Sequence, residues 1–348
     1  MAFQSATGWG NLPNGSFSPV IYSKNVQTQF RKESVCSDIT NSDYFGEIAN
    51  FGDSVRIIKE PEITVRPYAR GTQIESQDIV DEDFSLVIDR SNYFAFQVDD
   101  IEERHSHVNY KTLAQDRAAY RLKDKYDMDI LGYMGGYEYN DSTGVWTART
   151  AAVGTKAEAT ADADELIAAH KMDRGDFGGA AGDSIALKAN SAGTGDATPL
   201  QVLNRMNTFL DRKNVDKDGR WVVVDPVFLE RLMDEDSKFM NQDYSSSENL
   251  TNGMITAGKV RGFRLYMSNN LPVLGTGPDT VDANGSAVNF GVIIAGHDSS
   301  TATAEQISKT EVLRSQDSFG DTVRGMHLYG RKILRPEGLV RATYNVAT

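Results

Sequence analysis

The apolar period changes at about residue 99, and that change limits the folds open to this chain. Before it, Ile63 and Val65 alternate with Thr64 and Arg66, and Phe84, Leu86 and Ile88 alternate with Ser85 and Asp89, although Val87 interrupts the polar side. Phe94, Phe96 and Val98 then alternate with Ala95 and Gln97. A period of two is the mark of half-buried strands. Pro67-Tyr68-Ala69-Arg70-Gly71-Thr72 separates the first run from the second and reads as a turn, so the simplest geometry is a long hairpin projecting from a body. After residue 99 the period becomes helical. No Pro or Gly occurs from Asp99 to Leu131, and Ile101, His105, Val108, Leu122, Tyr126, Ile130, Leu131 and Met134 fall on one stripe. Asp99, Asp100, Glu102 and Glu103 crowd the start, where the helix dipole favours anions, and Gly132, Gly135 and Gly136 end it. A helix over 99–134, with a looser first part near Asn109, is expected.

The rest of the chain reads as α+β. Residues 1–50 are rich in Ser, Asn and Gly, with scattered Phe17, Val20, Ile21, Tyr22, Phe30 and Phe45, which suggests an extended arm that needs another surface to lie on. Residues 140–198 are rich in Ala, Gly and Asp, with a short helix expected over Ala163 to Lys171. Thr198-Pro199-Leu200-Gln201 is a capping box with Pro at the first helical position, followed by Leu203, Met206 and Leu210 on one face. Arg220 to Val224 is a buried strand, and Asp225-Pro226 opens a helix facing inward through Phe228, Leu229 and Leu232. Phe263, Leu265 and Met267 form a strand stopped by Ser268-Asn269-Asn270, Phe290 to Ala295 forms another, and two more are expected near 305–314 and 322–344.

Several chemistries drop out. Cys36 is the single cysteine, which excludes an intrachain disulfide and any multi-cysteine metal site. The apolar runs are far shorter than the ~18 residues a membrane helix needs. No basic residue precedes Lys24, so neither a signal nor a transit peptide is expected, and a soluble protein made inside the cell is the default. The net charge of −13 argues against a dedicated nucleic-acid binder. His105 and His107 would point apart on a helix, His170, His297 and His327 lack a partner motif, and no Gly-x-Ser-x-Gly elbow is present. Gly193-Thr194-Gly195 and Gly275-Thr276-Gly277 lack the rest of a phosphate loop, and the acidic run near Asp279, Asp282 and Asn284 lacks calcium-loop spacing. Nothing points to a catalytic, cofactor or metal site.

What remains distinctive is architectural. A two-stranded hairpin is marginal alone in water, so it either lies on a neighbouring subunit or joins a sheet of its own domain. Gly52-Asp53-Ser54-Val55, Ile63-Thr64-Val65-Arg66-Pro67-Tyr68, Arg70-Gly71-Thr72-Gln73-Ile74, Ile88-Asp89 and Tyr93 through Glu102 together resemble the major capsid proteins of tailed bacteriophages. Gly219 through Pro226 resembles that family's central strand and following helix, and Gly262 through Leu271 its next signature, in the same order. The resemblance covers roughly residues 50–345, apart from 140–198 and 272–288.

The resemblance implies a Hong Kong 97-type capsid fold. Residues 1–52 would be the N-terminal arm and 53–98 the E-loop with adjoining strands. Residues 99–134 and 303–332 would form a peripheral domain with a spine helix, and 135–302 with 333–348 an axial domain. The implied function is a structural subunit assembling into pentamers and hexamers of an icosahedral shell around double-stranded DNA. The implied partners are a portal protein, a separate scaffolding protein, because the arm leaves no room for a scaffolding segment, and a decoration protein docking on 140–198 or 272–288. DNA would be held without specific contacts, which suits an acidic chain. Location would be the virion shell, after synthesis in the host cytoplasm. Candidate inter-subunit residues are Phe17, Ile21 and Phe30 in the arm and Arg66, Tyr68, Arg70 and Gln73 in the hairpin. Lysine is absent between Glu60 and Asp99, so the covalent crosslink of some relatives is not expected. Two other readings remain: an encapsulin-like bacterial compartment, and an acidic soluble enzyme.

Overall fold

The computed structural model describes residues 34–43, 54–58, 63–71, 73, 76–77, 83–99, 110–149, 166–167, 170–188, 193–233, 260–278, 289–315 and 319–346. In chain order, α1 is Cys36–Ile39, β1 Ser54–Ile58, β2 Asp83–Val87, β3 Arg90–Asp99 and α2 Tyr110–Gly135. Strands β4 (Tyr137–Asn140), β5 (Val145–Ala148), β6 (Lys171–Met172), β7 (Ile185–Leu187) and β8 (Asp196–Ala197) follow. Then come α3 (Pro199–Arg212), β9 (Arg220–Val224), α4 (Pro226–Leu232), β10 (Arg264–Met267) and β11 (Val273–Leu274). The chain closes with β12 (Phe290–His297), β13 (Thr301–Arg314), β14 (Gly320–Ile333) and β15 (Leu339–Val346).

The main sheet has eight strands in the order β10-β9-β12-β15-β7-β8, with β11 also on β12 and β6 also on β15. Its central strands are apolar on both faces, as a sheet covered on both sides requires. In β9, Val222 and Val224 face one core while Trp221 and Val223 face another. In β12, Ile293 and Ala295 face the first, and Val292 and Ile294 the second. The first core is closed by α3 and α4. The Thr198 hydroxyl accepts from the Gln201 amide, and the Gln201 side chain accepts from the Thr198 amide, so the expected capping box is formed. Val202, Leu203, Met206, Phe209 and Leu210 are buried beneath α3, at helical spacing. Asp225 caps α4 by accepting from the Phe228 amide at 3.1 Å, and Tyr344 donates to the same carboxylate from β15.

The second core is closed by the end of α2 and by the β4–β5 hairpin. Ile130, Leu131, Tyr133 and Met134 pack with Trp146, Trp221 and Ile294. Gly132 permits this, because a Cβ there would lie 2.7 Å from the Trp146 ring and 2.8 Å from the Tyr137 carbonyl oxygen. The same helix lies against a second, three-stranded sheet ordered β13-β14-β3, all antiparallel. There Tyr126 meets Tyr329 edge-on at 4.9 Å, and Arg331 bridges to Asp129 at 2.6 Å while lying over the Tyr133 ring.

Several expectations need correction. The strand β3 runs through Asp99, and the described helix begins at Tyr110, so the helical period does not take over at residue 99 itself; residues 100–109 lie outside the described residues. Ile63 and Val65 form no strand: they are 67% and 91% exposed, and β2 pairs instead with Ser54–Ile58. The third alternating run leaves the hairpin to pair with β14. Lys171 is in a strand, paired beside Arg341, rather than at the end of a helix. Met267 is 51% exposed because β10 lies at the end of the strand order, with β9 as its one neighbour there. The expected pair of C-terminal strands is three, since Pro336–Gly338 turns the chain between β14 and β15.

The β1–β2 hairpin stands as its own two-stranded sheet, with its base packed on the body. Leu86 and Ile88 are buried against Ala302, Ala304 and Leu334. A Cβ on Gly330 would lie 2.4 Å from the Val87 carbonyl oxygen, so glycine allows the close approach of β14. Gly330→Ala is expected to cost about 1–3 kcal/mol through overpacking. Hydrogen exchange should then show faster exchange of the β1 amides, with β9 and β12 unchanged.

Candidate inter-subunit surfaces

The hairpin carries its exposed residues outward from the base. Every described residue from Ile63 to Gln77 is exposed, including Arg66, Tyr68, Arg70 and Gln73. The Thr64 amide donates to the Gln77 side-chain oxygen at 3.2 Å, which draws the two limbs of the loop together. Gly71 turns the tip with φ of +91°, a region that favours glycine. Ile58 and Tyr68 are 81% and 67% exposed, so the hairpin presents large apolar side chains to solvent. The four hairpin residues singled out from sequence therefore share one projecting loop. Phe17, Ile21 and Phe30 lie outside the described residues.

Sequence reasoning missed a second apolar surface. On the outer face of the three-stranded sheet, Tyr93 lies opposite Met326, and both are exposed. Leu313 is exposed on the same sheet, and Phe319 is 81% exposed beside the turn from β13 to β14. The alternation of β3 had pointed to buried Phe94 and Phe96, yet both are only partly buried. Pattern identifies two faces of a strand, but not which layers exist to cover them.

The end of the arm is latched to α2. Ser34 Oγ donates to Asp127 Oδ1 at 2.8 Å and the Val35 amide to Oδ2 at 3.1 Å. The Cys36 thiol lies 3.7 Å from the Asp127 carbonyl oxygen. The Asn41 amide and carbonyl then bond to Thr301 and Thr303, adding the segment to the edge of β13. Burial raises the Asp127 carboxyl above its ordinary value, against the lowering effect of these donors. Burial, then the nearby Asp127 charge, pushes the Cys36 thiol well up, so it is packed and unreactive.

A polar cleft of about 290 Å³ opens beside β3, α2 and the β4–β5 hairpin. Four carboxylates, Asp89, Asp129, Glu138 and Asp141, line it against two cations, Arg90 and Lys125. Lys125 bridges to Asp141 at 2.5 Å and stands over the Tyr139 ring. Tyr329 donates to Asp129 at 3.0 Å and accepts from Asn92 at 3.3 Å. Burial and the Asp129 charge raise its phenol far above the ordinary value, so it stays a donor. Among the described residues no group of three His, Cys, Asp or Glu side chains could hold a metal ion, and no helix is long and apolar enough to cross a membrane.

A covered central sheet, a long helix joined to a separate antiparallel sheet, and a projecting hairpin are the elements that the sequence resemblance led one to expect. Comparison with known proteins agrees. A family model described as phage capsid protein matches residues 114–342, more than half of the chain. A solved structure from Mycobacterium phage Che8 is similar at 26% identity and TM-score 0.66, over 93% of this chain and 96% of that one. The capsid of Ralstonia phage GP4 is similar at 13% identity and TM-score 0.63, over 99% and 98%. The Cyanophage Pam1 capsid is similar at 12% identity and TM-score 0.61, over 97% and 99%. A search of curated proteins finds no match. The chain belongs to the phage capsid protein family, with an α+β fold of the Hong Kong 97 type. It is a structural capsid subunit and not an enzyme. The encapsulin reading gains no better support.

Asp127→Ala would leave the Val35 amide and Ser34 hydroxyl without their acceptor, a loss of about 1–3 kcal/mol at a buried site. Maleimide labelling of Cys36 in the folded chain is expected to be slow in the wild type and about tenfold or more faster in this variant. The raised carboxyl pKa means that the folded chain holds this proton more tightly than the unfolded chain. The contribution of Asp127 to stability is thus fully present below the ordinary carboxylate range and lost as pH rises through the folded value. Denaturation of Asp127→Asn across that range should show the corresponding pH dependence weakened.

Proposed function

We propose that this subunit assembles into pentamers and hexamers of an icosahedral shell enclosing double-stranded DNA, with the β1–β2 hairpin reaching a neighbouring copy. The observation that carries this reading is the exposure of Ile58, Ile63, Val65 and Tyr68 on a hairpin whose base alone is packed. An isolated apolar hairpin gains stability when a second surface covers it. Arg66, Tyr68, Arg70 and Gln73 are the contact residues of that arm. Phe17, Ile21 and Phe30 extend the contact from the N-terminal arm.

In this reading the hairpin is the E-loop and α2 the spine helix. A peripheral domain comprises 99–134 and 303–332, and an axial domain 135–302 and 333–348. Its support is that β13 and β14 form a separate sheet on α2, while β6 to β12 and β15 form the main sheet. The subunit is made in the host cytoplasm and assembled with a separate scaffolding protein, a portal protein and a decoration protein. The net charge of −13 supports containment of DNA without strong adhesion to it.

Electron microscopy of the chain coexpressed with its scaffold is expected to show closed shells. Arg66→Glu with Arg70→Glu should reduce shell yield about tenfold or more, leaving free subunits or capsomers, since reversed charges at an interface repel. Small uniform oligomers of the unaltered chain would overturn the proposal. Denaturing electrophoresis of mature shells should show monomer, without a covalent ladder.

A further inference from the structure

We propose that the seat of the arm and the base of the β1–β2 hairpin are coupled through residues 301–304 of β13, so that lifting the arm end loosens the hairpin. The coupling lies within one subunit and holds whatever surface the hairpin meets.

Residues 301–304 are held on both edges and both faces. Along one edge runs β14, with Thr301 opposite Ile333 and Ala304 opposite Gly330. Along the other lies the arm: the Asn41 amide donates to the Thr301 carbonyl at 2.9 Å, and the Thr303 amide donates to the Asn41 carbonyl at 3.0 Å. Successive side chains of a strand point to opposite faces. On one face Ala302 and Ala304 are fully buried against Leu86 and Ile88 of the hairpin base. Thr303 serves the other. Its hydroxyl lies 3.0 Å from that of Thr40 on the arm, and it also shares a hydrogen bond with the Tyr126 phenol on α2. Arm, helix and sheet therefore meet at one buried threonine.

This short stretch has little means of absorbing a displacement. Close-packed interiors transmit strain, and an alanine has no side-chain rotamer to change. A shift of the backbone on the arm side therefore moves Ala302 and Ala304 against Leu86 and Ile88. Next to them, Gly330 already lies at the limit of approach to the Val87 carbonyl oxygen. The other end of the arm segment is fixed separately, by Ser34 and Val35 on Asp127 and by Ile39 in the core beneath α2. A segment tied to α2 at one end and to β13 at the other acts as a strap. Coupling of this kind is reciprocal, so loosening the hairpin base also loosens the strap.

Hydrogen exchange of the full chain tests the forward direction. Ser34→Ala with Thr40→Val removes side-chain bonds of the strap and leaves the hairpin unaltered. The expected result is about fivefold or more faster exchange in β2 and in residues 301–304, with β9 and β12 at wild-type rates. Cysteine labelling tests the reverse. Leu86→Ala is expected to speed maleimide labelling of Cys36 by a similar factor, and Leu86→Val replaces it should the larger truncation fail to fold. Acceleration that does not reach β2, or labelling of Cys36 unchanged by both Leu86 variants, would overturn the coupling. Uniform acceleration that includes β9 and β12 would also overturn it, since that reports loss of the whole fold. Arm and Leu86 variants combined should raise β2 exchange by less than the product of their separate effects; effects that simply multiply would show two independent sites.

Discussion

The covering of the main sheet on both faces is the constraint on which the rest of this subunit depends. Strands β9 and β12 are apolar on both sides, so each face must be closed by another layer. Helices α3 and α4 close one. The last turns of α2 close the other, and there Gly132 brings the helix against Trp146. Because α2 also lies along β14, one helix fixes the position of the three-stranded sheet relative to the main sheet. The tyrosine and arginine contacts around Asp129 hold that second junction.

Once these layers are satisfied, no apolar layer among the described residues covers the outer part of the hairpin. Its base is anchored by Leu86 and Ile88, while Ile63, Val65 and Tyr68 stay in solvent. In the proposed assembly this imbalance would tie the fold to assembly: the core holds the subunit together, and other copies would cover the exposed hairpin surface. Covering apolar surface favours association, whereas ordering the loop opposes it, so a hairpin already braced by a ladder loses less on binding.

The latch at Asp127 joins the arm to the same helix that organises both sheets. A buried carboxylate satisfied by a hydroxyl and a backbone amide is sensitive to loss of either donor. The arm is coupled to α2 by this local chemistry and by Val35, Cys36 and Ile39, which share a core with Ile130, Leu131 and Met134. Cys36 belongs to this packing, with its thiol buried against the Asp127 carbonyl oxygen.

Elements governed by local chemistry were legible in the chain itself. The Thr198–Gln201 capping box, the Asp225-Pro226 helix start, and the apolar runs of β9 and β12 are short-range signals, and all are formed. The projecting loop with Arg66, Tyr68, Arg70 and Gln73 was also visible, as turn chemistry between alternating runs. Partners distant in sequence were not. Ile63 and Val65 alternate like a strand but have no ladder, while Ser54–Ile58 takes the place beside β2. The third run pairs with β14, more than two hundred residues later. The cleft joins residues from β3, α2, β4 and β14, which no spacing in the chain could reveal. Sequence by itself determined which segments can be helix, strand or turn, because capping, period and glycine act over a few residues. Only the tertiary structure decided which strands pair and which apolar side chains stay exposed, because burial depends on the other layers competing for the same surface.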